Sequence, residues 1–492
     1  MNFQSFGFLA FLAVTAAVCL TAGRKDRHIA ADLLALACLF FYIVGGGWAS
    51  FLILMIGLAV SIAAVHCLTA VKIRARPGGD GPYAYVSSRT SAQRRLCLIL
   101  AAAWHIGVLV VFKYTGFFTG GRLSLGWVPL GLSFFTFQQL WLLKEAYSGG
   151  FRPGRGDNFP LYAFFFPSVV SGPILKPQPF FDQLRGERFL RPDGRDFAAA
   201  AYAIGLGTAK KVLLADSLGA VVNNGWSHLD QLSAPAAWVV ILGSTLQLYF
   251  DFSGYCDIAA GAARLFGLRL PVNFDSPYRS LSVTEFWKRW HITLTSFLRE
   301  CLYFPLGGSR RGTRRTYCNI LVVFLISGLW HGAGWTFIIW GGLHGLGQIV
   351  ERVWGPGRDR LPKLLRWALA FGFVNAAWVF FRAPNLPGAL TLLRTAVTAD
   401  FRPPADWLLS GVFSKEAEAI GMLLPAARPW VEAVFAYGIL GVALLAALWP
   451  RNVISRMEDF RPTVWRGLAL AALTAWSILS FTGVTTFIYS NF

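Results

Sequence analysis

Two histidines in apolar surroundings are the residues of this sequence best suited to chemistry. His331 lies in residues 328–333 (GLWHGA), and His291 ends residues 285–291 (EFWKRWH). Burial favours the uncharged form of an imidazole, and an uncharged imidazole can act as a general base. His331 is the stronger candidate, because the glycines at positions 328, 332 and 334 would let another helix or a substrate approach it closely.

Each histidine also has a purely structural interpretation. His331 could donate a hydrogen bond between two helices, and His291 shares a helical face with Trp287 and Trp290, as in a tryptophan-rich helix at a membrane interface. No metal site is predicted, because the two histidines lack a third ligand at a recognisable spacing. The seven cysteines are scattered and form no Cys-x-x-Cys pair.

A second set of candidates consists of polar residues, with one neighbouring tryptophan, in or beside apolar segments. Ionisable groups inside a membrane are costly and are functional candidates by default. Asp251 and Asp257 are six residues apart, so a continuous helix would put them on different faces; they are predicted to cap broken helices or to bind Arg264 or Arg269. The candidates of this set are Asp251, Asp257, Asn273, Glu285 and Trp330.

The elements that must position these residues are membrane helices. The chain has 492 residues, of which 55% are hydrophobic and 14% are charged, whereas soluble domains carry roughly 25% charged residues. Many apolar stretches reach the ~20 residues needed to cross a bilayer, and a backbone that faces lipid must be helical. The sequence therefore predicts an all-α, polytopic integral membrane protein that forms a single membrane domain over residues 1–492.

The predicted membrane segments follow the apolar stretches of the chain. They lie near residues 6–22, 30–45, 49–71, 96–118, 125–146, 199–222, 233–250, 284–306, 318–349, 364–382, 431–449 and 464–483. Residues 159–175 are apolar but interrupted by prolines and a glycine, which predicts a broken helix or a re-entrant segment inside the bundle. His331 follows the basic loop Arg310–Arg315 by more than a dozen residues, or roughly 20 Å of helix, and is predicted to lie well inside the membrane.

The positive charge of the chain indicates a lipid partner rather than a nucleic acid. There are 45 Lys and Arg against 25 Asp and Glu, a net charge of +20. The basic residues lie in short loops between apolar spans, as the positive-inside rule requires, where they attract anionic lipid headgroups. No basic soluble domain is present that could hold a duplex, so nucleic-acid binding is not predicted.

Six separated motifs resemble the membrane-bound O-acyltransferase (MBOAT) family, in the order of its bacterial alginate O-acetylase branch, which includes peptidoglycan and cellulose acetylation proteins. The motifs are residues 130–138 (LGLSFFTFQ), 171–174 (SGPI), 249–255 (YFDFSGY), 285–292 (EFWKRWHI), 306–308 (LGG) and 328–333 (GLWHGA). The resemblance covers residues 112–383, followed by C-terminal spans and an aromatic tail over residues 431–492. It implies a helical bundle with a transmembrane tunnel and re-entrant segments, in which His331 is catalytic and His291 lines or supports the tunnel. The other polar candidates become tunnel or substrate-binding residues.

The resemblance also implies a donor, an acceptor and a location. Acetyl-CoA, the donor in this branch, would enter from the cytoplasm, with no cofactor permanently bound. The acetyl group would leave on the periplasmic side for a hydroxyl of an exopolysaccharide or cell-wall polysaccharide (alginate, cellulose or peptidoglycan), usually through a separate periplasmic acetyltransferase. The chain would then be a multi-pass protein of a bacterial inner membrane.

The C-terminal residues 487–492 (FIYSNF) resemble an aromatic tail that ends several proteins of this branch and the small partner of the related D-alanyl transfer system. In that system the tyrosine is proposed to carry the acyl group. Tyr489 is thus a candidate relay: His331 could deprotonate it for attack on the thioester, and the resulting phenyl ester would stay activated. An aromatic belt at the membrane interface explains the same residues equally well.

Two alternatives to acetyl transfer remain at this point. One is D-alanyl-type transfer to teichoic acid, and the other is an acyl transporter without covalent chemistry. The built-in tyrosine tail favours acetyl transfer, because the D-alanyl system carries the tail on a separate protein. The lack of an evident internal repeat weakens the transporter, since many transporter folds are built from repeats.

Overall fold

A computed structural model describes residues 5–74, 84–87, 89–154 and 156–481. Tyr489 and its neighbours lie outside the described residues, so the relay stays a prediction. The described chain is mostly helical, which confirms the predicted fold class. It also contains one short antiparallel hairpin that the sequence did not indicate, in which strands β1 (Val71–Arg74) and β2 (Ala84–Ser87) pair.

Seven helical stretches of the described chain are long and apolar enough to cross a membrane. They are Phe6–Gly23, Arg27–Thr69, Ser91–Phe118, Gly194–Ser227, Ala234–Arg264, Lys363–Arg382 and Trp430–Ala447. Each coincides with one or two of the predicted segments. The 43-residue stretch contains two helices that meet at Gly47, whose φ of 75° only glycine adopts without a penalty. This kink lies in the gap between the predicted segments 30–45 and 49–71.

The chain divides into two compact units. The first contains the chain up to Phe197 together with Ala262–Pro271. Its helices are α1 (Phe6–Gly23), α2 (Arg27–Thr69), α3 (Ser91–Leu109), α4 (Thr115–Phe118), α5 (Leu132–Ser148), α6 (Phe159–Phe164), α7 (Phe166–Val169) and α8 (Pro177–Arg185), with a π-type turn at Val110–Tyr114. The single membrane domain of the sequence analysis remains a prediction.

The proline-interrupted segment of this first unit is a broken helix, as predicted. The short helices α6 and α7 meet at Phe165, and each carries a proline in its first turn, where a missing N–H breaks no helical bond. The side chains from Phe164 to Phe166 are fully buried. Phe166 packs against Phe8 and Phe41, with ring centres 6.2 Å and 5.6 Å away.

The second unit contains residues 198–261 and the chain from Val272 onward, so the division falls within helices α9 and α11. Its helices are α9 (Gly194–Ala209), α10 (Ser217–Ser227), α11 (Ala234–Arg264), α12 (Val283–Arg289), α13 (Ile292–Leu298), α14 (Thr313–His331), α15 (Trp335–Trp354), α16 (Lys363–Arg382), α17 (Leu386–Thr398), α18 (Asp406–Leu409), α19 (Ser414–Leu423), α20 (Arg428–Ala447), α21 (Val453–Glu458) and α22 (Val464–Leu479). Turns of π type lie at Lys210–Asp216 and Arg299–Tyr303, and 3-10 turns lie at Leu229–Gln231, Pro277–Arg279, Gly355–Arg360 and Pro425–Ala427.

Two predicted segments of this unit are divided in the structure. Residues 318–349 form a hairpin in which α14 and α15 are joined by the turn 332–334, because the glycines there end α14 in extended backbone. Residues 284–306 form α12 and α13, which are separated at His291. Both divisions occur beside a candidate histidine.

Candidate active site

His331 is the last residue of α14, at the end of 19 helical residues. It is 1% exposed, so the predicted burial is confirmed, although the residue lies at the end of its helix and not within it. Rings surround the imidazole: Trp330, Trp340 and Phe381 have centres 4.8 Å, 5.1 Å and 5.2 Å from it. The imidazole of His331 therefore lies in an enclosure formed by aromatic rings.

Close helix packing places His331 in this enclosure. A Cβ atom at Gly328 would lie 2.3 Å from the carbonyl oxygen of Phe337, and one at Gly341 would lie 2.2 Å from that of Phe324. Helices α14 and α15 therefore touch backbone to backbone, as glycine allows. A Cβ atom at Gly332 would lie 2.2 Å from the Phe337 ring, whereas one at Gly334 would meet nothing closer than 3.6 Å. The predicted role of these glycines in close approach holds for the first two but not for Gly334.

His291 lies between α12 and α13 in a left-handed backbone conformation, with φ 45° and ψ 54°. A non-glycine residue in this region costs of order 1–3 kcal/mol and persists only where its surroundings hold it. Here the Ile292 amide donates to the Asn273 carbonyl at 3.0 Å, and the Asp275 amide donates to the Arg289 carbonyl at 2.9 Å. The chain around residue 273 therefore holds the turn that presents His291.

The His291 ring is completely buried and contacts an amide side chain. Its Nδ1 lies 3.2 Å from Oδ1 of Asn273, and the same oxygen accepts from the amide and the hydroxyl of Thr293 at 3.2 Å and 2.9 Å. Nδ2 of Asn273 donates to Sγ of Cys256 at 3.5 Å. Asn273 was predicted to line the tunnel, and the structure places it against His291.

The two predicted catalytic residues come together. The ring centres of His291 and His331 are 6.4 Å apart, and Trp330 lies beside both, 6.2 Å from His291. Four predicted site residues thus form one cluster, which we call the histidine site: Asn273, His291, Trp330 and His331.

Asp251 and Asp257 are buried and form ion pairs with lysines. Both belong to the unbroken helix α11, so the capping of broken helices was wrong. Asp251 binds Lys211 at 2.7 Å, and Lys211 also binds Asp216 at 2.8 Å. Asp257 binds Lys210 at 2.6 Å. The partners that the structure shows are these lysines and not the predicted arginines; Arg264 binds Asp196 at 2.6 Å.

Glu285 has a local role in the first turn of α12. The amide of Glu285 donates to the Ser282 side chain, and its carboxylate accepts from the Leu281 amide, both at 2.9 Å. This is a variant of the reciprocal capping that satisfies amides at helix starts. The carboxylate also pairs with Arg289 at 3.0 Å, with both side chains about one-third exposed.

Sequence reasoning missed the lysine partners and a third buried histidine. Lys210 and Lys211 are consecutive charges within the predicted span 199–222, a signal that the cost of intramembrane charge could have revealed. His344 is completely buried and accepts a hydrogen bond at Nδ1 from the Trp287 indole at 3.1 Å; no sequence pattern linked these two residues. Within the described residues, no three His, Cys, Asp or Glu side chains come together as metal ligands.

Comparison with known proteins supports the interpretation of this chain as an acyltransferase. The model of MBOAT, the membrane-bound O-acyltransferase family, matches residues 158–388, which include the whole histidine site. The chain is 37% identical over 434 residues to the peptidoglycan O-acetyltransferase of Helicobacter pylori, a match that covers 80% of this chain and 78% of that protein.

Two further relatives extend the comparison. A probable alginate O-acetylase AlgI of Pseudomonas aeruginosa is 36% identical over 404 residues, or 78% of this chain and 73% of that protein. A teichoic acid D-alanyltransferase of Streptococcus thermophilus is 26% identical over 289 residues, or 55% of this chain and 68% of that protein. The motifs, the membrane helices and the extent of these matches agree: the chain belongs to the membrane-bound O-acyltransferase family and is a multi-pass membrane O-acyltransferase.

Proposed function

We propose that this protein transfers an acetyl group from acetyl-CoA to a hydroxyl of a cell-surface polysaccharide, across the inner membrane of a bacterium. The observation that carries the proposal is the pair of buried imidazoles, His291 and His331, with ring centres 6.4 Å apart in a chain of an O-acyltransferase family. An uncharged imidazole in apolar surroundings suits the proton transfer that activates a hydroxyl.

The names of the relatives support a polysaccharide acceptor. The peptidoglycan and alginate enzymes match 80% and 78% of this chain, against 55% for the D-alanyltransferase. Acetyl transfer to a polysaccharide of the peptidoglycan or alginate kind is therefore the first proposal, and D-alanyl transfer to teichoic acid is the second. The bacterial relatives and the basic loops between the spans support the proposed location in an inner membrane.

His331 acts as the general base in this proposal. It accepts the proton of the attacking hydroxyl while the hydroxyl oxygen forms a bond to the thioester carbonyl carbon. The carbon–sulfur bond then breaks, and the CoA thiolate takes the proton back from His331. The products are an acetyl ester and free CoA thiol, so no further reactant is needed.

Tyr489 is the proposed first acceptor. Its phenolic oxygen takes the acetyl group as an aryl ester, which keeps the acyl group activated because phenolate is a good leaving group. A polysaccharide hydroxyl, or a separate periplasmic acetyltransferase, then receives the group and restores the phenol. The relay depends on the C-terminal tail alone. If the relay is wrong, the proposed role of His331 is unaffected.

The test of His331 incubates purified full-length protein with acetyl-CoA that is labelled in its acetyl group. Two quantities are measured: the rate of CoA release and the amount of label bound to the protein. We expect His331→Gln to lose at least ~10²-fold in rate, as for the removal of a general base. A matched control is His105→Gln, which replaces another buried histidine, whose Nε2 lies 2.9 Å from the Ser61 hydroxyl in the first unit. Full activity of folded His331→Gln would overturn the proposed role of His331 as the general base.

Separate measurements test the relay and the donor. In the relay mechanism, Tyr489→Phe abolishes the label on protein, and mass spectrometry of wild-type protein finds acetyl on Tyr489. An active wild-type protein without that label contradicts the relay but leaves the base in place. Turnover of a D-alanyl thioester, with none of acetyl-CoA, would favour the second proposal.

A further inference from the structure

We infer that Asn273 is a positioning residue that holds His291 with its proton on Nδ1 and its lone pair on Nε2, so that His291 serves the site as a hydrogen-bond acceptor. The catalytic consequence rests on the proposed acyl transfer, whereas the protonation pattern does not. The inference follows in three steps from the contacts around residue 273.

The first step is the orientation of the Asn273 amide. Oxygen and nitrogen of such a group are distinguished by their partners. A backbone N–H can only donate, and the N–H of Thr293 lies 3.2 Å from Oδ1. The other end of the amide faces Sγ of Cys256 at 3.5 Å, a weak acceptor that suits the NH₂ group. The atom that faces Thr293 is therefore the oxygen.

The second step assigns the proton of His291. The same Oδ1 lies 3.2 Å from Nδ1 of His291, and an amide oxygen has no proton to donate. Nδ1 must therefore carry the hydrogen of this bond. A neutral imidazole has one N–H and one acceptor nitrogen, so Nε2 carries the lone pair. The partner of one ring nitrogen commonly sets the state of the other in this way.

The third step concerns rigidity. Asn273 contacts the ring through its side chain and accepts from the Ile292 amide through its backbone carbonyl, at 3.0 Å. The ring is also packed edge-on against Phe252, with centres 4.8 Å apart. One residue thus controls both the backbone and the imidazole of His291, and the ring cannot turn over without losing the bond to Oδ1.

His344 shows that this state is not a general result of burial. The Trp287 indole can only donate, and it donates to Nδ1 of His344 at 3.1 Å. Neutral His344 therefore carries its proton on Nε2, which is the opposite state. The partner of each ring decides the state, and His344 provides an internal reference for any measurement on His291.

The assignment limits what neutral His291 can do. Through Nε2 it can accept a hydrogen bond from a hydroxyl or thiol, but it cannot donate one to the oxygen of a thioester carbonyl. His291 thus helps to orient or deprotonate the attacking group beside His331. The stabilisation of negative charge on the carbonyl oxygen must come from other donors.

Nitrogen-15 NMR of full-length protein labelled in its histidines tests the assignment, because protonated and bare ring nitrogens resonate in separate regions. The signals that disappear in His291→Gln identify His291. We expect a protonated Nδ1 and a bare Nε2 in wild-type protein, and the opposite pattern for His344. A proton on Nε2 of neutral His291 in wild-type protein would overturn the inference without need of any Asn273 variant.

Variants then test Asn273 itself. Asn273→Leu removes the acceptor at similar volume and should lose the Nδ1–H pattern and lower kcat by about 10–100-fold, the range for an orienting partner of a functional histidine. Asn273→Asp keeps an acceptor oxygen and should restore the pattern. Thr293→Val is the matched control: it removes one bond to the same oxygen and should leave the pattern unchanged.

The outcomes separate the two proposals. An unchanged Nδ1–H pattern in folded Asn273→Leu contradicts the role of Asn273. A confirmed pattern in a protein that never uses acetyl-CoA overturns the proposed donor and leaves the assignment standing, because the NMR measurement needs no substrate.

Discussion

The second unit contains two clusters of buried polar residues. The sequence alone does not distinguish the aspartates of one from the histidines of the other, but the clusters differ in how the free-energy cost of burying polar groups is offset. In the lysine–aspartate cluster (Lys210, Lys211, Asp216, Asp251 and Asp257), ionised groups lie 2.6–2.8 Å from their opposite charges. In the histidine site, imidazole rings face an amide and other rings. A charge that is fully paired has little freedom to act in a reaction, whereas an uncharged imidazole keeps its capacity to take a proton.

From this difference we propose that the lysine–aspartate cluster holds the fold and that the histidine site is available for chemistry. The π-type turn at Lys210–Asp216 joins α9 to α10 and aims two consecutive lysines at the aspartates of α11. Those contacts connect helices. The histidine site lies where helices end: His331 terminates α14 and His291 separates α12 from α13. The following expectations test this division through stability, from the largest effect to the smallest.

Lys211→Met should have the largest effect on stability. The variant leaves Asp251 and Asp216 without their cation, and breaking a buried pair in this way costs about 3–5 kcal/mol. We expect little folded protein in detergent, measured by size exclusion and thermal unfolding. The triple variant Lys211→Met/Asp216→Asn/Asp251→Asn removes all three charges and should recover much of the loss. If the triple variant is no more stable than Lys211→Met, unpaired charge is not the main cause of the loss of stability.

Gly341→Ala should cost about 1–3 kcal/mol, the usual effect of overpacking. The new Cβ would lie 2.2 Å from the Phe324 carbonyl oxygen, so α15 must move away from α14, and acyl transfer should fall as His331 shifts. Gly342→Ala is the matched control, because its Cβ meets only Leu325, at an ordinary 3.7 Å. Equal melting temperatures of the two variants would contradict the backbone contact.

His331→Gln should change stability by about 1 kcal/mol, the central effect of a point substitution, because Gln keeps a buried polar side chain at this position. Thermal unfolding of this variant beside Lys211→Met is the sharpest test of the division between the two clusters. A loss as large as that of Lys211→Met would make His331 a structural residue, as one interpretation of the sequence allows.

Arg289→Gln should have the smallest effect, under ~1 kcal/mol. Its pair with Glu285 spans one helical turn and is one-third exposed, and pairs of this kind contribute about 0.3–0.5 kcal/mol. High salt should reduce the difference between variant and wild-type melting temperatures. If Arg289→Gln lost as much stability as Lys211→Met, solvent exposure would not explain the different contributions of these ion pairs to stability.

Much of the fold could be predicted because it depends on local pattern. Hydrophobic length predicts the spans, prolines predict the break between α6 and α7, and the gap between the predicted segments 30–45 and 49–71 coincides with the kink in α2. Where the prediction differs, polar or special backbone interrupts an apolar run: residues 284–306 break at His291, whose left-handed conformation no hydropathy pattern reveals. The hairpin β1–β2 was missed because strands of four residues leave only a weak sequence signal.

The site was predictable as a set of residues and not as an arrangement. His291, His331, Trp330 and Asn273 were all candidates, and the structure brings them together. Asp251 and Asp257 were candidates of the same rank, and the structure joins them to lysines. Nothing in the spacing of these residues distinguishes the two outcomes, because contacts between separate helices depend on how the helices pack.

The sequence by itself determined that this is a polytopic membrane protein, which family its motifs resemble and which two histidines are the strongest candidates for catalysis. Composition, apolar length and motif order are properties of the chain alone and survive any packing. Only the tertiary structure decided that Lys210 and Lys211 neutralise the aspartates, that α14 and α15 meet through glycine, and that Asn273 faces Nδ1 of His291. These are contacts between residues far apart in the chain, and close packing of side chains in three dimensions selects among them.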